Sequence, residues 1–333
     1  MKDFYNLYSI GKNTKKPDSR GKSFGYQVLG FGSGFSSAIA HRGVWAGGLT
    51  PSNSNVIDFV EIATLGNASD FGNMTASKAR SSGTASTTRG LFFGGHTPGR
   101  LATIDFIEVA TEGNASDFGD LSAVGQFGAA GNNGTRAVNA IGDTNDSAVN
   151  GIEFVTIASA GNTTDFGDVT VARTALGECS SAVRICYMGG NGGAGSIGNM
   201  DVIDFVTTAS AGNATDFGNL LGVASAGSGC GNGTRGIHLG NNNADELTIE
   251  FITIASAGNS QDFGDLTSLS NNSGAACSSP TRGLKSIASN PSLTAQIDHI
   301  TIASAGNSAD FGDLSVARNF NGALSNGNGG LSA

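Results

Sequence analysis

A chain of 333 residues with 52 glycines, 14% charged and 38% hydrophobic residues has enough apolar side chains for a core, which excludes a disordered polymer. Its net charge of −9 excludes nucleic acid as a partner for most of the chain, because like charges repel. No apolar run approaches the roughly 20 residues that cross a bilayer, so membrane insertion is not expected, and "MKDFYNLYSI" lacks the apolar centre of a secretory signal.

The charge is unevenly placed. Residues 1–22 carry Lys2, Lys12, Lys15, Lys16, Arg20 and Lys22 against Asp3 and Asp18, or 6 − 2 = +4, which leaves −13 for the remainder. "GKNTKKPDSRGK" combines turn formers and charge with no apolar period, so residues 1–30 are expected to be an extended arm outside the folded body. The aromatic "DFYNLY" ahead of it suits insertion into a groove, with the basic residues meeting an acidic surface. Phe4, Tyr5, Tyr8, Lys12, Lys15, Lys16, Arg20 and Lys22 are the candidate anchor to a larger particle.

From residue 31 to 318 the chain repeats itself. Asp-Phe-Gly recurs with its Phe at 71, 118, 166, 217, 263 and 311, in steps of 47, 48, 51, 46 and 48 residues. The triplet occurs in protein kinases, but a kinase needs one magnesium-binding Asp, and the other kinase motifs are missing. A period in this range points to propellers or solenoids.

Each unit reads as four strands in order. Strand A is rich in small residues: Ser37, Thr84, Gly131, Cys179, Cys230 and Cys277 stand five residues before an arginine, as expected near a crowded axis. Strand B opens with that arginine, at 42, 89, 136, 184, 235 and 282. Strand C, as in "IDFVEIA" and "IEFITIA", is β-branched on both parities and so buried on both faces. A Gly-Asn reversal leads into strand D at Asp-Phe-Gly. There the Asp is expected to bond turn amides, the Phe to fill the core, and the Gly to permit close backbone approach. Six complete C–D pairs predict an all-β propeller of six four-stranded blades. The first strand A can come from "GSGFSSAIA" before Arg42, or from residues 319–333, "NFNGALSNGNGGLSA", as a ring-closing tail.

The connection from strand B to strand C varies most, as in "GDTNDSAVNG", "GNGGAGSIGNMD" and "GNNNADEL". These loops share one face of a propeller, and a varied polar face on a rigid ring suits recognition. The candidate recognition residues are Asp143, Asn145, Asp146, Asn191, Asn199, Asn241, Asn242 and Asn243. The acids opening strand C (Asp58, Asp105, Glu153, Asp204, Glu250, Asp298) are expected to ring the same face as solvated turn caps.

No nucleophile, base and orienting acid recur at usable spacing, and no Cys-x-x-Cys or clustered His pattern suggests a metal. No enzymatic activity, cofactor or metal is assigned. The four cysteines read as buried free thiols, because three occupy equivalent positions in separate blades. His299 replaces a core Phe.

"RGLFFGG…IDFIEVA…DFGDLSAV" resembles the kelch repeat over roughly residues 31–315, although Phe118 stands where kelch proteins place Trp and Gly-Gly is lost in three units. The wording "IEFVTIASAGNTTDFGDVTVAR" more specifically resembles repeats in virion proteins of marine tailed bacteriophages. That resemblance implies a non-enzymatic tail fibre or other appendage, located in the virion and assembled in the host cytoplasm. Its implied partners are other virion proteins, further copies of itself on the particle, and a host cell-surface receptor. The alternative is a free kelch-like protein-interaction module.

Overall fold

The computed structural model describes residues 40–192, 198–240, 247–270, 273–288 and 292–327. The anchor residues of the arm lie outside them.

Six four-stranded antiparallel sheets succeed one another in sequence, each ordered A-B-C-D from the inside outward. Blade one takes strand B from Arg42–Ala46, C from Val56–Glu61 and D from Ser69–Asn73. Its strand A is Gly322–Ser325, from the other end of the chain, with Gly43 opposite Ser325 and Ala46 opposite Gly322. The A strands of blades two to six are Ser82–Ala85, Ala129–Asn132, Gly177–Ser180, Ser228–Gly231 and Ala276–Ser278. Neighbouring A strands touch all the way round, so the fold is a closed six-bladed propeller.

Sequence determines each blade in the same way. Strand C buries successive Ile, Asp/Glu and Val/Ile side chains because a neighbouring blade covers each of its faces. The strand-D Phe is 2–3% exposed in all six blades and meets the strand-C Phe edge-to-face, at 5.9 Å and 80° for Phe154 and Phe166. In blade six His299 takes the place of that strand-C Phe, 6.0 Å from Phe311. Phe166→Ala is therefore expected to cost about 3–5 kcal/mol in urea unfolding; a loss within experimental error would disprove its place in the core.

The glycine of the triplet is required by the next blade. Gly72 has φ +145°, and a Cβ there would strike the Gly113 carbonyl. The turn containing Gly113 and Asn114 lies along the edge of the preceding strand D: Gly113 N–H donates to Phe71 O, and Asn114 Oδ1 accepts from Asn73 N–H at 3.0 Å. All six blades repeat the Asn contact, the last from Asp313 N–H to Asn67, so the exposed edge of every sheet is capped by its neighbour. The triplet's Asp, expected to hold turn amides, is exposed in every blade instead, and the Asn provides the cap across the blade boundary.

The arginines opening strand B make a second stitch. Each donates to a carbonyl at the end of strand C in the following blade, at 2.7–3.3 Å, from Arg42 to Val109 O round to Arg282 to Ile62 O. Five also lie over their own strand-C Phe, 4.4–4.8 Å from the ring centre.

The strand-C acids form the third stitch, and the expectation of solvated caps fails for all six. They are 0–4% exposed, because each points into the seam with the preceding blade. Asp204 accepts from Thr170 N–H at 2.8 Å and pairs with both Arg173 Nη atoms, at 2.6 and 3.0 Å. Asp58 pairs with Arg318 at 3.0 Å and Asp105 with Lys78 at 3.3 Å. Blades three and five reach the same end differently. Gly125 and Ala224 stand where the cation would be, and the acid is Glu. Glu153 and Glu250 accept instead from a hydroxyl in their own turn, Thr163 or Ser260. The paired blades have Ala68, Ala115 and Ala214 at that turn position. A buried carboxylate is satisfied either by a cation from the neighbour or by a hydroxyl from its own blade.

Candidate recognition face and axial cavity

Because strands alternate in direction, the connections from D to A and from B to C emerge on the same face. The D-to-A connections hold six equivalent residues: Arg80, Phe127, Ala175, Ala226, Ser273 and Phe320. All have φ between +48° and +65°, an uncommon conformation for non-glycine residues. It turns their peptide groups toward one another around the axis. Arg80 N–H donates to Phe320 O at 2.7 Å, Phe127 to Arg80 at 2.9 Å, Ala175 to Phe127 at 2.9 Å, Ala226 to Ala175 at 3.0 Å, and Phe320 to Ser273 at 3.1 Å. The residues thus frame the mouth of an axial cavity of about 110 Å³.

The frame is asymmetric. Phe127 and Phe320 meet edge-to-face at 5.6 Å, and the Arg80 guanidinium lies 4.9 and 5.2 Å from their ring centres. Ala175, Ala226 and Ser273 are small, so the other half of the mouth is open.

The B–C loops are tied to this frame. Asp143 and Asn191 bridge in backbone register to Gln126 and Thr174, immediately before Phe127 and Ala175. Asn145 and Asp146, with φ +47° and +63°, form the two-residue turn of a short hairpin, Asp143–Thr144 against Ser147–Ala148. Arg100, from the loop of blade two, donates to Asp143 and Asp146 at 2.5 Å each. Gln126 joins Asp143 to Arg80, accepting from Arg80 Nη1 at 3.2 Å and donating to Asp143. Asn191 Nδ2 donates to Asn199 Oδ1 at 2.8 Å, which also accepts from Ser225. Five of the eight recognition candidates therefore lie on one face, in contacts that fix their loops, while Asn241, Asn242 and Asn243 lie outside the described residues.

Deeper in the cavity, one equivalent residue of each strand A faces the axis. It is Gly83, Ala130, Gly229, Ala276 or Ala323 in five blades and Glu178 in blade four. Small residues are needed because the strands are packed so closely that a Cβ on Gly229 would strike the Glu178 carbonyl. Glu178 borders the cavity and is part-exposed, but its Oε1 is enclosed and has no hydrogen-bond partner. Burial pushes its pKa up to about 8, only partly opposed by Ser180. Behind the wall, Lys285 Nζ donates to Ser228 Oγ at 2.9 Å, and burial lowers its pKa to about 7.

The cysteines are all free and buried; Cys179 stands opposite Cys186 in the ladder of blade four. Among the described residues no three His, Cys, Asp or Glu side chains gather as a metal-binding set, and no helix is long and apolar enough to cross a membrane.

The mouth residues and Glu178 were not singled out from sequence. The available signal was a non-glycine residue one to three positions before a Gly at the head of each strand A, and one acid in an otherwise small column. Comparison with known proteins brings no family model that matches the chain and no curated relative.

Proposed function

We propose that the protein is a non-enzymatic structural component of a tailed-phage particle, joined to it through residues 1–30 and presenting the propeller for attachment to a host cell surface. The virion assignment is supported by the wording of the repeat, "IEFVTIASAGNTTDFGDVTVAR". The recognition role is supported by one observation above the others. Three sets of stitches make the blades a rigid ring, and the B–C loops that vary in length and composition are fastened to its axial frame by Gln126–Asp143 and Thr174–Asn191 bridges. Such an arrangement holds a variable polar surface in a fixed shape, which lowers the ordering cost of binding. Other virion proteins and further copies of the chain are the partners at the arm, and a surface receptor is the partner at the loops.

Truncation of residues 1–24 tests the assignment. The shortened chain should remain soluble and folded by circular dichroism but vanish from purified particles analysed by mass spectrometry. Normal incorporation would refute the anchor. Absence of the full-length chain from particles would favour a free interaction module.

A further inference from the structure

The axial cavity collects polar atoms that the fold leaves unused. Ser81 Oγ, Asn321 Nδ2 and Glu178 Oε1 are all buried without hydrogen-bond partners, and all three residues line the same cavity. Buried polar atoms are nearly always paired, so three around one cavity need a common explanation. Ser81 and Asn321 belong to adjacent D-to-A connections, each immediately after a frame residue, Arg80 or Phe320. Arg80 forms one side-chain hydrogen bond, through Nη1.

We propose that this cavity binds a small carboxylate, its oxygens meeting Arg80 at the mouth and the Ser81 hydroxyl and Asn321 amide within, with Glu178 on the floor as a further hydrogen-bond partner. The charge pattern decides the sign of the ligand. Arg80 at the entrance and Lys285 behind the wall oppose a cation, and each polar group facing the cavity can donate when Glu178 holds its proton. A neutral carboxyl at pH 7 follows from its burial and serves as a donor. About 110 Å³ fits a carboxylate with a few further heavy atoms; anything larger must project through the open half of the mouth, past Ala175 and Ser273. This inference concerns the frame alone and stands whether or not the protein belongs to a virion.

Ionisation of Glu178 above its pKa of about 8 places a negative charge beside the ligand, so binding should weaken from pH 7 to 9. The other titratable groups around Glu178 are Cys179, Cys230, Tyr187, His238 and Lys285. The thiol and phenol pKa values of Cys179, Cys230 and Tyr187 are raised, and that of His238 is lowered to about 4, so these four stay neutral in the window. Lys285 loses its charge near pH 7, so a variant at Glu178 is needed to separate the two.

The full-length chain is titrated with glycolate, glucuronate and methylammonium by saturation-transfer NMR. Glycolate should bind saturably and methylammonium should not. Arg80→Gln should weaken glycolate about tenfold while keeping the folded circular-dichroism spectrum, the loss expected for one charge-assisted contact. Glu178→Gln, which keeps a neutral donor, should bind glycolate at pH 7 and lose the decline toward pH 9. Tighter binding of glucuronate than glycolate assigns the carboxylate to a sugar acid of a surface glycan, and equal binding to a free small acid. Absence of saturation, methylammonium bound in place of glycolate, or an Arg80→Gln protein equal to wild type overturns the proposal. A decline that survives Glu178→Gln transfers the pH coupling to Lys285 and overturns the role of Glu178.

Discussion

Deletion of residues 319–333 should lower the melting temperature more than any single core substitution. It removes strand A of blade one and the ladder to Arg42–Ala46, and uncovers the fully buried Val44 and Trp45. It also removes Phe320, which links two neighbours in the axial frame, and breaks the A-strand contacts of blade one with blades two and six. Buried Leu324 alone is worth about 2–5 kcal/mol, so the combined loss exceeds that of one large core deletion. Scanning calorimetry of the truncated chain measures it. An unchanged transition would mean that another segment, "GSGFSSAIA" before Arg42, takes the inner position.

Asp204→Ala should destabilise the protein by about 3–5 kcal/mol, because it leaves the Arg173 guanidinium buried without its counter-charge. The repeats themselves supply the repair. Blade five holds Glu250 with Ser260 and Ala224, where blade four's seam has Asp204, Ala214 and Arg173. The triple change Asp204→Glu, Ala214→Ser, Arg173→Ala should therefore recover most of the stability lost by Asp204→Ala, measured by urea denaturation at pH 7. A triple variant no more stable than the single one would show that the two arrangements are not interchangeable between seams.

The sequence disclosed which positions recur: the Phe at 71 to 311, the Gly after it and the Arg opening strand B stand in every unit because each fills the same slot six times. It concealed what those positions meet in the neighbouring blade. Thr170 and Arg173 lie 34 and 31 residues before Asp204, and in isolation an acid at a strand start resembles a solvated cap. The alternation of a cation with Ala at the turn in blades one, two and four, and of a turn hydroxyl without the cation in blades three, five and six, was present in the repeats and would have shown burial. Among the recognition candidates, loop variation pointed to Asp143 and Asn191, which lie on one face. It could not show that they were fastened to a frame at Phe127 and Ala175, since no residue type marks a left-handed position unless it is Gly or Asn. Glu178 was hidden because a single acid carries no period.

The pairing of Gly322–Ser325 with Arg42–Ala46 also bears on how the ring relates to the order of the chain. Arg136 and Arg235 receive their strands from A–B turns in which Asn133 or Asn232 accepts the arginine's backbone N–H at 2.8 Å. In blade one Asn326 Oδ1 accepts from Arg42 N–H at 2.7 Å, the same bond with no peptide link between the two strands. The geometry of a turn persists where there is no turn. A side-chain hydrogen bond to the arginine N–H, from Asn here and from Ser86, Ser181 or Ser279 in blades two, four and six, spans every junction, so the five linked A–B turns are equivalent cutting points. A circular permutant opened at any of them would inherit the same blades in the same order.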